Sequence, residues 1–377
     1  MKKRDILIYG FSMFSMFFGS GNLVFPLKIG IDTGQNWLLG FLGLFITGIT
    51  LPFLGLFVIK LHNGSYNSFF AEGGKFTKIF LPLFTLSLLG SFGVVPRCIT
   101  VAHGGIEYLW PQIELSSFSL LYCILCYLIC LKDKLMISIL GKWLTPILLS
   151  FLIFLIIYGI IKAPQITAIV TNKPESFLTG FFQGYETMDL LAAFFFSSVM
   201  FKQIQSTHNP ESGIIKLALK SSLIGASLLS FVYLGFVYLG AHYKTIVADV
   251  TPELILPSIS FHLLGEKAVV IISIIILLSC LTTAVALNNI YARYLTKLFK
   301  LNDNKFPIVL CLTTGASFFA SLFDFKGISS FLSPVLEVTY PGLIALTILS
   351  IATQKYKALK IVAFYGTIGL IVLKNYF

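Results

Sequence analysis

The stretch from Phe17 to Pro26 reads FFGSGNLVFP. It falls inside an apolar run, residues 6–31, that is long enough to cross a bilayer, since a helical span needs about 20 mostly apolar residues. Gly19 and Gly21 remove side chains where the chain must leave helical geometry, and Asn22 tolerates non-helical backbone. A second apolar run, 177–201, is interrupted in the same way by Gly184-Tyr185-Glu186-Thr187-Met188-Asp189. Backbone polar groups exposed at membrane depth are tolerated only where they bind something or line a wet cavity. Paired interruptions in corresponding spans of two halves point to the substrate site of a secondary transporter.

Outward from these motifs, the composition excludes an ordinary soluble domain. The chain is 56% hydrophobic, 11% charged and holds 37 Phe, against about 25% charged residues in soluble proteins. Apolar runs near 6–31, 36–59, 79–102, 117–131, 143–161, 177–201, 214–240, 267–292, 306–322, 328–350 and 358–374 predict an all-α polytopic membrane protein of about eleven spans. With no linker to separate domains, residues 1–377 form one transporter domain. Because five is odd, a five-span unit repeated once starts from opposite membrane faces. Residues 6–161 and 177–350 then form inverted repeats with broken spans one and six, and 358–374 is an added helix.

The net charge of +11 would point to nucleic acid in a soluble protein. Its placement points instead to a lipid bilayer. Lys2, Lys3, Arg4, Lys60, Lys75, Lys78, Lys132, Lys134, Lys142 and the later clusters around Lys202–Lys220, Arg293–Lys305 and Lys355–Lys360 share one face, with Lys28, Lys162, Lys173, Lys244, Lys267, Lys326 and Lys374 on the other. The positive-inside rule places the N-terminus in the cytoplasm. The basic start followed by an apolar run is not read as a secretory leader, because no small-residue cleavage site follows. Cys123 and Cys126 sit in an apolar helix and read as packing, and the five His show no ligand spacing. The connection Ala241–Glu266 is apolar enough to pack back onto the bundle, as a lid or as a plain surface helix.

Freed amides at the start of the half-helix after Gly19 would face a carboxylate with the helix dipole behind them. The alternative is close helix packing by small residues. Glu186 and Asp189 are intramembrane acids, either site groups or structural partners of the unwound backbone. Thr282 and Thr283 offer hydroxyls for a small hard cation such as Na+, or bond their own helix. Arg97 and Glu337 are the remaining charges in spans, each a gate or a partner of a buried charge. Arg97 has the further option of snorkelling to the interface.

FFGSGNLVFP at 17–26, PR at 96–97, GYETMDLLAAFFF at 184–196 and CLTTA at 280–284 resemble the branched-chain amino acid:cation symporters, also called branched-chain amino acid transport system II carriers. This family is similar to the superfamily with the leucine-transporter-type fold of five plus five inverted spans. The resemblance implies substrate binding between Phe17, Ser20, Gly21 and Asn22 in one break and Gly184, Tyr185, Glu186, Thr187 and Asp189 in the other. It implies Na+ held by carbonyls near Ser15 and Phe18 together with Thr282 and Thr283, and some of Phe194, Phe195 and Phe196 lining the apolar pocket while others face lipid. Family members read as twelve spans, one more than is read here.

The expected activity is therefore Na+-coupled uptake of Leu, Ile or Val across a bacterial cytoplasmic (inner) membrane, with no cofactor beyond the coupling ion and no enzymatic step. Proton coupling through Glu186 or Asp189 is the rival within the class. A channel and an intramembrane protease are the competitors outside it. The oligomeric state is not fixed by the sequence.

Overall fold

The computed structural model describes residues 3–131, 145–166, 172–207, 214–353 and 355–376. Lys132, Lys134 and Lys142 of the charge pattern, and the first residues of the run 143–161, lie outside the described residues. All regular structure among the described residues is helical. In chain order the helices are α1 (Lys3–Phe17), α2 (Ser20–Thr33), α3 (Trp37–Leu44), α4 (Leu51–Leu61), α5 (Tyr66–Phe70), α6 (Lys75–Leu89), α7 (Val94–Leu109) and α8 (Leu115–Cys130). They continue with α9 (Thr145–Ile161), α10 (Lys173–Glu186), α11 (Asp189–Thr207), α12 (Ile214–His242), α13 (Lys244–Val247), α14 (Ile255–Leu264), α15 (Glu266–Leu298), α16 (Phe306–Ser321), α17 (Asp324–Ala352) and α18 (Lys357–Tyr376).

Each apolar run of the sequence is occupied by helix where it is described, but several runs are made of two pieces. By length and composition, Ser20–Leu61, Lys75–Leu109, Leu217–His242, Glu266–Leu298 and Asp324–Ala352 are long and apolar enough to cross a membrane. Ile6–Phe17, Leu115–Cys130, Pro146–Ile161 and Asp189–Phe201 are shorter apolar helices. Together with the rim of exposed Leu, Ile and Phe side chains, this is an integral membrane protein.

The first run breaks between α1 and α2, as its glycines predict, and the sixth breaks between α10 and α11. The run 79–102, expected as continuous, is also broken. Its α6 ends at Leu89 and α7 starts at Val94, with Gly90 and Gly93 in the turn. The turn is tied to α16 by Ser91, whose hydroxyl donates to the Thr313 carbonyl at 2.8 Å.

Two crossings hold the broken helices in place. At α2 and α12, a Cβ on Gly30 would strike the Val237 carbonyl, and one on Gly240 would strike the Leu27 carbonyl. At α3 and α10, Gly43 lies against Phe177 and Phe181, and Gly180 against Gly40. Backbones approach this closely only where no side chain intervenes, the usual device for packing helices in lipid. Between α3 and α4 the backbone widens into a π-helical stretch, Phe45–Thr50, where the Thr47 hydroxyl donates to Gly43 (3.1 Å) and across to Phe181 (2.9 Å).

The connection after α12 packs back onto the bundle. Tyr243 is fully buried, α14 buries Ile255 to Ser260, and Lys244 Nζ donates to the Ile31 carbonyl at 2.8 Å. On the opposite end, α5 presses Phe69 and Phe70 onto Phe194 of α11, with ring centroids 4.9 and 5.5 Å apart.

Candidate functional site

The two breaks meet. A Cβ placed on Gly21 would lie 3.3 Å from the Thr187 Cα, so α2 begins against the gap that separates α10 from α11. In the first break, Gly19 takes an extended conformation and its N–H is accepted by Asn22 Oδ1 at 2.9 Å. A Cβ on Gly19 would lie 3.0 Å from Thr283 Cγ2, a tight fit that Thr283 would have to relieve by a few tenths of an ångström. In the second break, Met188 adopts φ +59°, in the left-handed region that a non-glycine residue rarely enters. The turn is held by Thr187, whose hydroxyl donates to Gly184 at 2.9 Å, and by the Met188 N–H on the Tyr185 carbonyl at 2.9 Å.

Across the junction, Asn22 Nδ2 donates to Asp189 Oδ2 at 2.7 Å. Tyr233 of α12 donates its hydroxyl to the same oxygen at 3.0 Å and also accepts from Asn22 Nδ2. All three side chains are buried. Asp189 is the first residue of α11, where the helix dipole favours a negative charge.

Beside this clasp is a void of about 10 Å³, the room of a single water. Phe17, Ser20, Gly21, Asn22, Thr187 and Asp189 line it, together with Gly19 and Thr283. Its apolar side is made by Met16, Leu89, Val94, Ala192, Phe196 and Leu287. Leu89 and Val94 flank the third break. The sequence reading missed them because a continuous span was assumed; the spacing of Gly90 and Gly93 was the available signal.

Gly184 and Tyr185 do not reach the void. Gly184 packs against Thr47, and the Tyr185 ring lies 4.6 Å from that of Tyr340. Phe196 reaches it, whereas Phe194 and Phe195 pack against the α5 aromatics. All three are buried, so the expectation that some face lipid is corrected.

At the Na+ residues implied by resemblance, the four groups part company. The Phe18 carbonyl accepts from the Ser279 hydroxyl at 3.1 Å, and Ser15 lies on the preceding turn of α1. Thr282 donates to Ser279 of its own helix at 2.7 Å, while the buried Thr283 Oγ1 has no partner among the described residues. Thr283, not Thr282, turns toward the first break.

Glu186 faces a different space, a cavity of about 480 Å³ that Lys28, Asp32, Gln183, Lys326 and Ser330 also line. Its Oε1 accepts from Ser333 and its Oε2 lies 3.4 Å from Arg97 Nη1. Arg97 is fully buried, so it does not snorkel. Glu337, read as a mid-span gate or partner of a buried charge, is exposed on α17.

Half-helices meeting end to end inside a helical membrane bundle, with a polar clasp and an apolar wall around one small void, define a membrane transporter of the broken-helix class. The chain shares its fold with two solved proteins. MhsT, solved in complex with L-phenylalanine, matches at TM-score 0.63 and 18% identity over 97% of this chain and 98% of that one. A Na+-coupled sialic acid symporter, solved outward-open with substrate bound, matches at TM-score 0.61 and 11% identity over 98% of this chain and 89% of that one. The chain belongs to the branched-chain amino acid transport protein family, which it matches over residues 2–373. The branched-chain amino acid permease BraB of Bacillus subtilis is 29% identical to it over 366 residues, 94% of this chain and 81% of the permease.

Proposed function

We propose that this protein imports Leu, Ile or Val by symport with Na+, through alternating access across a bacterial cytoplasmic membrane, with its N-terminus in the cytoplasm. The observation that carries this reading is the meeting of the two helix breaks at Asn22 and Asp189, around a void whose remaining wall is aliphatic and aromatic. The amides at the start of α2 suit a carboxylate, and the Met16, Val94, Ala192, Phe196 and Leu287 wall suits a branched aliphatic side chain. At about 10 Å³ the void is closed down. Substrate enters only when α1, α2, α10 and α11 move apart from α7 and α15, as rocking of one bundle against the other in a repeat of five plus five spans provides.

The unpartnered Thr283 hydroxyl beside Gly19 and the Phe18 carbonyl supplies oxygen ligands for Na+, and the sialic acid symporter that shares the fold is Na+-coupled. The driving force is adequate. One positive charge entering with a zwitterion gains about 2.3 kcal/mol per 100 mV, and a tenfold Na+ gradient adds about 1.4 kcal/mol. A sum of about 3.7 kcal/mol supports accumulation of a few hundredfold.

A second reading, proton coupling with other apolar amino acids, is favoured by Asp189, whose hydrogen bonds run to the neutral donors Asn22 and Tyr233. Uptake of labelled leucine into proteoliposomes, with Na+ and pH gradients imposed separately and valine, isoleucine and alanine as competitors, decides between them. Accumulation is expected with the Na+ gradient alone. Accumulation with the pH gradient alone, lost in Asp189→Asn, establishes the proton reading instead.

A further inference from the structure

Arg97 lies between residues that line the two cavities. On one side, Glu186 and Phe25 line the larger cavity and touch it, Glu186 at 3.4 Å and the Phe25 ring with its centroid 5.4 Å away. On the other, Val94 one turn earlier lines the small void, and the adjacent Cys98 thiol donates to Ser20 at 3.5 Å at the start of α2.

Its hydrogen bonding is half made. The contact with Glu186 uses Nη1 and is longer than a well-formed charge-assisted bond. Nε and Nη2, both buried, have no partner among the described residues. Those two nitrogens form one edge of the guanidinium plane, the edge whose parallel N–H groups match the two oxygens of a carboxylate. A buried polar group without a partner is the exception in a folded protein. Here the free groups are a matched pair, on a cation, between the linings of the two cavities.

We propose that Arg97 binds the α-carboxylate of the amino acid substrate through its Nε and Nη2 edge, sharing that group with the amides at the start of α2. Glu186 holds the guanidinium in place through Nη1 and leaves that edge open, and the substrate's negative charge weakens the hold of Glu186 on the shared cation. Ser333 of α17 donates to the other Glu186 oxygen, so release of Arg97 leaves Glu186 held by α17 and parts α7 from the α10 and α17 pair. The inference rests on the reading of the chain as an amino acid carrier.

The test is equilibrium binding of labelled L-leucine to purified protein, with L-leucine and L-leucinamide as competitors, after wild-type uptake in proteoliposomes has established the carrier reading on its own. Wild type is expected to prefer leucine to leucinamide by more than tenfold. Arg97→Gln is expected to weaken leucine more than tenfold while changing leucinamide less than threefold, so that the preference collapses. The double variant Arg97→Gln with Glu186→Gln is expected to remain as weak for leucine as the single one. Glu186→Gln, which keeps the guanidinium and removes the neighbouring negative charge, is expected to keep or raise the preference, and it serves even where Arg97→Gln fails to fold. Equal weakening of both ligands in Arg97→Gln, recovery of leucine binding in the double variant, or loss of the preference in Glu186→Gln overturns the proposal and leaves the pair as a brace.

Discussion

Asn22 and Asp189, separated by 167 positions in the chain, are joined by a 2.7 Å hydrogen bond that spans the two helix breaks. Each sits in the first turn of its half-helix, α2 or α11, so the positive ends of two helix dipoles converge where they meet. One carboxylate oxygen accepts hydrogen bonds from both Asn22 and Tyr233, and the clasp thereby ties α2 to α11 and to α12.

Asp189→Ala is expected to destabilise the protein far more than Asp189→Asn. The alanine leaves the Asn22 amide and the Tyr233 hydroxyl buried without their acceptor, at about 1–3 kcal/mol for each unsatisfied group. Asparagine retains an oxygen in the same place and loses the charge. Thermal unfolding in detergent measures the difference, and equal midpoints for the two variants would show that the clasp bears no weight.

Thr283→Val is expected to raise the Na+ concentration for half-maximal uptake at least about tenfold, the equivalent of about 1.4 kcal/mol. The change keeps the shape and removes only the unpartnered Oγ1. Thr282→Val is expected to change it little, because that hydroxyl already serves the Ser279 carbonyl of its own helix. Na+ titration of uptake in the two variants checks the contrast, and matching shifts count against a cation at Thr283.

The breaks in the first and sixth spans were legible because glycine and asparagine in an apolar run loosen the backbone, whereas Pro26 lies inside α2 and the glycine pair at Gly90 and Gly93 was the unread signal of the third break. The left-handed turn at Met188 was not legible, since nothing in a methionine announces φ +59°. What the sequence could not supply was direction. Thr282 and Thr283 are adjacent, yet only one faces the break, and Glu186 and Asp189 lie three residues apart yet face different cavities because the helix between them is interrupted. Arg97 was visible as a charge near the outer end of its span, but its burial against Glu186 is a product of the packing of α7.

Gly30→Ala and Gly240→Ala are each expected to reduce uptake by pushing α2 off α12 and drawing Asn22 away from Tyr233. Each added methyl meets a backbone carbonyl, which cannot rotate aside as a side chain can, and overpacking of this kind costs about 1–3 kcal/mol. Gly366→Ala in α18 is the control, since nothing lies within 4 Å of the added carbon. Uptake normalised to folded protein in proteoliposomes reads the effect, and full activity in Gly30→Ala would show that the crossing can yield.

Lys360 of α18, 1% exposed, donates to Glu72 at 2.8 Å, and His62 lies 3.7 Å from the other Glu72 oxygen. Partial burial works to raise the Glu72 carboxyl, but Lys360 and His62 outweigh it and hold it below its ordinary value. The native state therefore keeps this site ionised where the unfolded chain, near pH 4.3 for a glutamate (about its ordinary value), begins to take up a proton. The contribution to stability is complete above that pH and is lost as pH falls through the lower native value. Glu72→Gln is expected to remove this acid-side slope and to destabilise more than Lys360→Met, because it strands a buried ammonium whereas the latter leaves a partly exposed carboxylate that water can solvate. Unfolding midpoints across acid pH test both points.

Ala192 and Phe196 lie one turn apart on α11 and both face the void, opposite Val94 and Leu287. Adding two methyl groups with Ala192→Val takes up the space that the longest branched side chain requires, while Phe196→Leu opens space. One methylene in an apolar pocket changes discrimination by about 1–3 kcal/mol, or about 10- to 200-fold. Ala192→Val is therefore expected to shift preference from leucine toward valine by at least about tenfold, the low end of that range, and Phe196→Leu to shift it the other way. Phe196 also meets Phe17 edge-on at 6.3 Å, so its removal loosens the wall at the first break and is expected to lower the maximal rate as well. Competition among Leu, Ile and Val for labelled uptake measures the preferences. If both substitutions slow all three substrates alike, the side chain does not occupy this wall, and the apolar lining serves only to seal the closed state.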